Sequence, residues 1–143
     1  MSLTQTATNA FKTGLMNGTY DFSAGTFKIA LYTGAATLDA TTSTYDSTNE
    51  VPNGNGYTTG GETLTVTVTP TTGSDPSSTV AYISFANVTW TGAITARGAL
   101  IYKSGGGNPS VCVLDFGSDK TSTTQFQVQF PAATTSSAII RIA

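Results

Sequence analysis

The 143-residue chain has a net charge of −2, no histidine and a single cysteine, Cys112. Its six Lys and Arg side chains form no cationic run, which excludes the electrostatic footprint of a nucleic-acid or anionic-lipid partner, and one cysteine excludes an intrachain disulfide. The 29 Thr and 14 Ser residues favour a single, mostly β domain over residues 1–143, because Thr suits half-exposed strands and is disfavoured in helices.

Residues 1–18 carry the one helical period of the sequence. The apolar residues Leu3, Ala7, Ala10, Phe11 and Leu15 are spaced so that they fall on one face of a helix, and Asn17-Gly18 then ends it. We expect this helical segment either to dock a partner subunit through Phe11 and Leu15 or to cap one end of a β core. No charged n-region and no apolar run precede it, so we expect no secretory signal.

From Phe27 onward the apolar residues alternate, as they do in half-buried strands. The alternation predicts seven strands, at 27–32, 62–69, 79–86, 96–103, 111–116, 125–130 and 137–142. Turn-rich segments separate them, so we expect an all-β fold, either an antiparallel β-sandwich or a jelly-roll-like barrel, with a short N-terminal helix. The strands 96–103 and 137–142 are apolar on both faces, which favours cover by another layer or subunit.

Residues 34–61 form a long stretch rich in Thr, Ser, Asn and Gly, with few apolar residues. We expect an extended surface loop, and loops of this length in a compact domain are usually functional or disordered. Val51 and Tyr57 are apolar anchors in this polar segment. The loop is therefore a candidate interaction segment, with a tolerated insertion as the alternative.

The glycine run at 104–109 could be mistaken for a phosphate-binding loop. A phosphate loop requires a helix after the glycines and a Lys-Ser or Lys-Thr pair, whereas here a predicted strand follows. Glycines and a proline between two strands are typical of a hairpin. The spacing of Gly54, Gly56 and Gly60 also differs from that of a dinucleotide-binding motif.

Residues 115–117 spell Asp-Phe-Gly, the magnesium-binding triplet of kinases, but no His-Arg-Asp loop precedes them. We expect Asp115 to end its strand. Asp115 and Asp119 could chelate calcium, although hard-cation sites usually gather more oxygens than two carboxylates. Without histidine a nucleophile would lack its usual base, and Cys112 lies among apolar neighbours where we expect it to be buried and inert. These features predict a protein that is not an enzyme and has no cofactor or metal.

Two further side chains are candidates for interaction. Trp90 could stack on a sugar, joined by Tyr45 and Tyr57, or it could anchor the core or an interface. Arg97 begins a predicted strand, where it could pair with a carboxylate of a neighbouring subunit or lie at the surface.

Five stretches carry a further signal: KIALYTGAATLDATTSTY, EVPNGNGYTTGGETLT, ANVTWTGAITARGALIYKS, VCVLDFGSDKTSTTQFQVQFP and AIIRIA. Together, over residues 11–143, they resemble a family of small virion structural proteins of tailed bacteriophages. The most specific pieces are Gly-Tyr-x-x-Gly-Gly at 56–61, Ala-Arg-Gly-Ala at 96–99 and Leu-Asp-Phe-Gly at 114–117.

The resemblance implies a non-enzymatic virion protein, with a capsid decoration (cement) protein that stabilises the head shell as the favoured reading. A tail component or an adhesion or carbohydrate-binding module is the alternative. The implied partner is the major capsid protein, or neighbouring tail proteins, contacted through the N-terminal helix or the 34–61 loop. We expect a homo-oligomer, with a trimer favoured because capsid symmetry presents sets of three equal surfaces. The protein would be made in the host cytoplasm and reside in the virion, on the capsid surface.

Overall fold

The computed structural model describes residues 2–73 and 79–142, and it confirms an antiparallel β-sandwich with one short helix. The elements are β1 (Thr6–Ala7), α1 (Asn9–Asn17), β2 (Phe27–Tyr32), β3 (Glu62–Thr63), β4 (Val66–Thr72), β5 (Ala81–Phe85), β6 (Val88–Thr91), β7 (Thr95–Lys103), β8 (Ser110–Thr121), β9 (Gln125–Val128) and β10 (Ile140–Ile142). Each of the seven predicted strand regions contains a strand, with the second region split into β3 and β4. The strands β1 and β6 lie outside the predicted regions.

Two layers form the sandwich. One layer is a five-stranded sheet in the order β1-β8-β7-β2-β3, and the other comprises a three-stranded sheet, β10-β5-β4, and a two-stranded sheet, β6-β9. The main core buries Ile29 and Leu31 of the first layer together with Phe85, Trp90 and Phe126 of the second. Alternation along each strand explains this arrangement, because successive side chains point to opposite faces of a sheet.

The five-stranded sheet is also covered on its other face. Tyr32, Leu100 and Val113 point away from the main core and form a second apolar cluster with Leu3 and Leu38. The strand 96–103 is therefore buried on both faces, as expected, but the cover comes from the same chain. No second subunit is needed to explain the apolar character of this strand.

The segment 34–61 supplies most of that cover through Ala36, Leu38 and Tyr45, although most of its residues are exposed. Its backbone lies so close to the end of β6 that no side chain fits between them. A Cβ at Gly56 would lie 1.8 Å from the Thr91 carbonyl oxygen, and a Cβ at Gly92 would lie 1.7 Å from the Asn55 carbonyl oxygen. An isolated β-bridge also pairs Tyr32 with Glu50. The segment lacks named strands, yet it is packed against the sheet.

The N-terminal segment is only partly helical. Leu3 pairs with Leu38 in a β-bridge, and β1 pairs with β8, so the apolar residues at the start of the chain reach the core by strand pairing. Thr8 begins the helix as its N-cap, accepting a hydrogen bond from the Phe11 backbone nitrogen at 3.2 Å. Gly18 ends it with a left-handed φ of 78°. The prediction that Leu3 and Ala7 lie on one face of a helix was therefore wrong.

The glycine run forms the predicted hairpin between β7 and β8. Gly105, Gly106, Gly107 and Asn108 all have positive φ, which a hairpin turn requires. β8 continues well past Asp115, so the expectation that this residue ends a strand was wrong. The pairing register of β7 and β8 shifts between Ala96 and Gly98, so that residues 116–119 of β8, which include Asp119, form a bulge next to Asp115.

Candidate functional site

Four of the six predicted interaction residues lie in the core. Phe11, Val51, Tyr57 and Trp90 have relative exposures between 1% and 6%, because the chain itself packs around them. The indole of Trp90 lies 6.1 Å from the Tyr57 ring and 6.3 Å from the Phe126 ring. Val51, Tyr57 and Trp90 therefore present almost no surface to a partner or to a sugar, and Phe11 contributes only to the lining of an apolar groove, which corrects the role expected for them.

A buried carboxyl group, which the sequence did not single out, organises the segment 34–61. Glu50 accepts hydrogen bonds from the Tyr57 hydroxyl at 2.6 Å, from the Tyr45 hydroxyl at 2.6 Å and from the Gly60 backbone nitrogen at 2.7 Å. The Tyr57 hydroxyl in turn accepts a bond from the Leu31 backbone nitrogen at 2.9 Å. This Glu50 network joins three parts of the segment to the inner strand β2, so its role is structural.

Burial of the Glu50 network raises the pKa values of its tyrosines. Burial first, and then the hydrogen bond to Glu50, raise the pKa of Tyr57 and of Tyr45 well above the ordinary value. Burial and the charge of Glu50 raise the pKa of Tyr102 to about 12, and its hydroxyl donates to the Gly60 carbonyl oxygen at 2.6 Å. These hydroxyls remain protonated at neutral pH, where they act as donors and not as bases.

Arg97 pairs with a carboxylate of its own chain. Its Nε donates to Asp115 Oδ1 at 3.0 Å across the β7–β8 bulge, and both side chains are partly exposed. The hydrogen bond from Arg97 lowers the pKa of Asp115. The bonded carboxylate of Asp115 raises the pKa of Arg97, and the charge of Asp119 raises it further. Arg97 therefore has a carboxylate partner within its own chain, and its pairing with a neighbouring subunit stays a prediction.

A polar cleft of about 290 Å³ lies beside this pair, lined in part by Asn53, Asn55, Arg97 and Asp119. Asp115, the other carboxylate weighed for calcium, is engaged by Arg97. Within residues 2–73 and 79–142, no three or more His, Cys, Asp or Glu side chains come together as a metal site would require.

Cys112 is buried at 8% exposure, as predicted. Burial raises the pKa of its thiol to about 12, so the thiolate that would act as a nucleophile does not form at neutral pH. Glu50 accepts three hydrogen bonds and Asp115 is paired with Arg97, so both carboxylates are engaged within the chain.

The exposed apolar residues gather at one place, which we call the α1–β10 groove. It has a volume of about 240 Å³ and lies between the helix and the strands β5 and β10; its apolar lining includes Phe11, Leu15, Tyr82, Ile140 and Ile142. Among the described residues, the exposed large hydrophobic side chains are Leu15, Met16 and Ile142. Two of these line the groove, and Met16 follows Leu15 on the helix.

Helix packing explains why these residues are exposed. Phe11 and Gly14 form the buried face of α1, and a Cβ at Gly14 would lie 2.1 Å from the Tyr20 ring, so the helix rests tightly on that ring. Lys12, Leu15 and Met16, which are three and four residues apart, then share the outward side. Leu15 is one of the interaction residues predicted from the sequence, whereas Met16 and Ile142 were not singled out.

The fold and these surfaces define an antiparallel β-sandwich with an internal Glu50 network and an exposed apolar groove. The chain matches no protein-family model, no curated protein and no solved structure. No helix in the described part of the chain is long and apolar enough to cross a membrane.

Proposed function

We propose that this chain is a non-enzymatic structural protein of a tailed-phage virion that decorates the capsid. The observation that carries the proposal is the state of its reactive groups: the thiol is buried, Glu50 holds three hydrogen bonds, and Asp115 is paired with Arg97. A domain that uses these groups to hold itself together is suited to a structural role. The resemblance to small virion proteins supplies the setting.

The surface agrees with a role in a repeated shell. The outward faces of the second layer carry Thr89, Thr91, Gln125 and Gln127, which are exposed and uncharged. Gln127 Nε2 donates to Thr89 Oγ1 at 3.3 Å, so the amide and hydroxyl groups also pair with one another across the strands. A surface of this kind stays hydrated without a strong field that would repel neighbouring copies.

Purified particles test the proposal. Quantitative protein gels of particles, and of heads and tails separated from them, should show the chain on heads at a stoichiometry close to that of the capsid protein. Recovery on tails in a small number of copies would support the tail alternative instead. Absence from particles of every kind would overturn the virion role.

The capsid contact is assigned to the exposed side of the segment 34–61. Deleting residues 38–56 is unsuitable as a test, because it would remove the buried side chains of Leu38, Glu50 and Val51. Ser47 is exposed between Asp46 and Thr48, whose backbone turn is held by an Asp46 hydrogen bond at 2.7 Å. A bulky charge there changes the contact surface and leaves the core intact.

We therefore expect Ser47→Arg to weaken binding to particles that lack the protein, whereas Ser118→Arg, at an exposed position of the β8 bulge, should bind like the wild type. Both variants should keep the circular dichroism spectrum of the wild type. If Ser47→Arg binds particles as tightly as Ser118→Arg, this side of the segment is not the contact.

A further inference from the structure

We infer that the α1–β10 groove binds a second copy of this chain. The inference rests on the groove and on the residues beside it, and not on the virion role. An exposed apolar groove with protruding apolar side chains marks an interaction site more often than a lone exposed hydrophobic residue does. Here Met16 is 84% exposed and Ile142 is 51% exposed.

The chain supplies both halves of such a contact. Met16 protrudes from the last turn of α1 and is unbranched and flexible, which suits insertion into an irregular apolar groove. The groove itself is lined by Leu15, Tyr82 and Ile142, next to that helix. Because Met16 and the α1–β10 groove lie on the same surface, Met16 of one copy can insert into the groove of another, either across a two-fold axis or around a ring.

The charges at this surface are also complementary to each other. Lys12 is exposed one turn before Met16 on the outward side of the helix, while Asp21 lies in the lining of the groove. Between two copies, Lys12 of one can face Asp21 of the other, which favours a second copy over an anionic partner such as nucleic acid or lipid.

The test is the mass of the purified protein in solution. Light scattering and sedimentation equilibrium at micromolar concentration should give a whole multiple of the 14.7 kDa chain, and a threefold mass would fit the trimer that the sequence led us to expect. Met16→Glu should weaken the association about tenfold or more, because a buried apolar anchor is replaced by a charge. The matched control is Gln125→Glu, which adds the same charge at an exposed position of β9.

A second pair of variants tests the charges. Lys12→Glu should weaken the association, and Asp21→Lys in the same chain should restore part of it. Circular dichroism and Trp90 fluorescence of each variant establish that the fold is retained. A wild-type protein that stays monomeric at every concentration overturns the proposal, as does a Met16→Glu variant with the association constant of Gln125→Glu. Neither result bears on recovery from particles, so the virion role is judged separately.

Discussion

Replacement of Glu50 should destabilise the fold far more than replacement of an ordinary surface carboxylate. In Glu50→Ala, the Tyr57 hydroxyl and the Gly60 backbone nitrogen lose their acceptor, and both lie in the buried part of the structure. The Tyr45 hydroxyl loses its acceptor too, but it is only partly buried and can turn to water. The segment 34–61 should loosen first, because the network joins it to β2.

The size of the effect follows from the two buried donors. A buried donor left without an acceptor costs about 1–3 kcal/mol, so two of them cost about 2–6 kcal/mol. Removal of a carboxyl group from a buried position returns part of this, because its desolvation is no longer required. We therefore expect the free energy of unfolding to fall by about 2–4 kcal/mol. Glu50→Gln should cost less than Glu50→Ala, since the amide oxygen still accepts and the Tyr45 hydroxyl can accept from the amide nitrogen.

Urea unfolding followed by Trp90 fluorescence measures these differences, because the indole lies 6.1 Å from the Tyr57 ring. The control is Glu62→Ala, which makes the same chemical change at an exposed position of β3. Hydrogen exchange should show faster exchange within 34–61 for Glu50→Ala than for the control. If the free energy of unfolding of Glu50→Ala lies within about 0.5 kcal/mol of that of Glu62→Ala, the range of ordinary surface changes, the network is not what holds the segment.

Three further outcomes are expected. Burial raises the pKa of Tyr102 to about 12 and also raises the pKa of Tyr57 strongly, so the stability that these buried hydroxyls contribute should be complete below about pH 10. The free energy of unfolding should then fall as the pH rises above 10, by up to about 1.4 kcal/mol per pH unit for each such tyrosine. A melting temperature that does not change between pH 9 and 12 would contradict the burial of these tyrosines. Cys112 should react with a thiol reagent only at the rate of unfolding, and rapid labelling of the native protein would disprove this. Gly92→Ala should lower the melting temperature clearly, since its methyl group would collide with the Asn55 carbonyl oxygen, and an unchanged melting temperature would show that the two backbones separate easily.

The strands were predictable because their pattern is local. Alternation in FKIALY gives the burial of Ile29 and Leu31 directly, and the glycines at 105–107 specify the hairpin. The start of the chain shows the limit of such patterns. Leu3 fits a helical period as well as it fits an extended segment, and pairing with Leu38, which is distant in sequence, decides the outcome.

The packing of the segment 34–61 against the sheet was not predictable, because composition does not reveal hydrogen-bond partners. A polar segment can be buried if its polar groups are satisfied, and Glu50 is satisfied by Tyr45, Tyr57 and a backbone nitrogen. The candidate interaction residues failed for a related reason. Val51 and Tyr57 are apolar residues in a polar segment, which indicates burial either against a partner or in the core of the same chain. Only the three-dimensional packing distinguishes these two cases.

The hairpin between β7 and β8 makes this protein a natural scaffold for grafting. A Cβ at Gly105, Gly106 or Gly107 would meet no heavy atom within 4 Å, so the turn projects into open space, although its positive φ angles favour glycine at these three positions. The Lys103 backbone nitrogen donates to the Pro109 carbonyl oxygen at 2.9 Å, which closes the strand pair below the turn. A guest peptide inserted between Gly106 and Gly107 would add mainly loop-closure entropy, about 0.6 kcal/mol for each doubling of loop length. An epitope or affinity tag carried there would project outward from every copy.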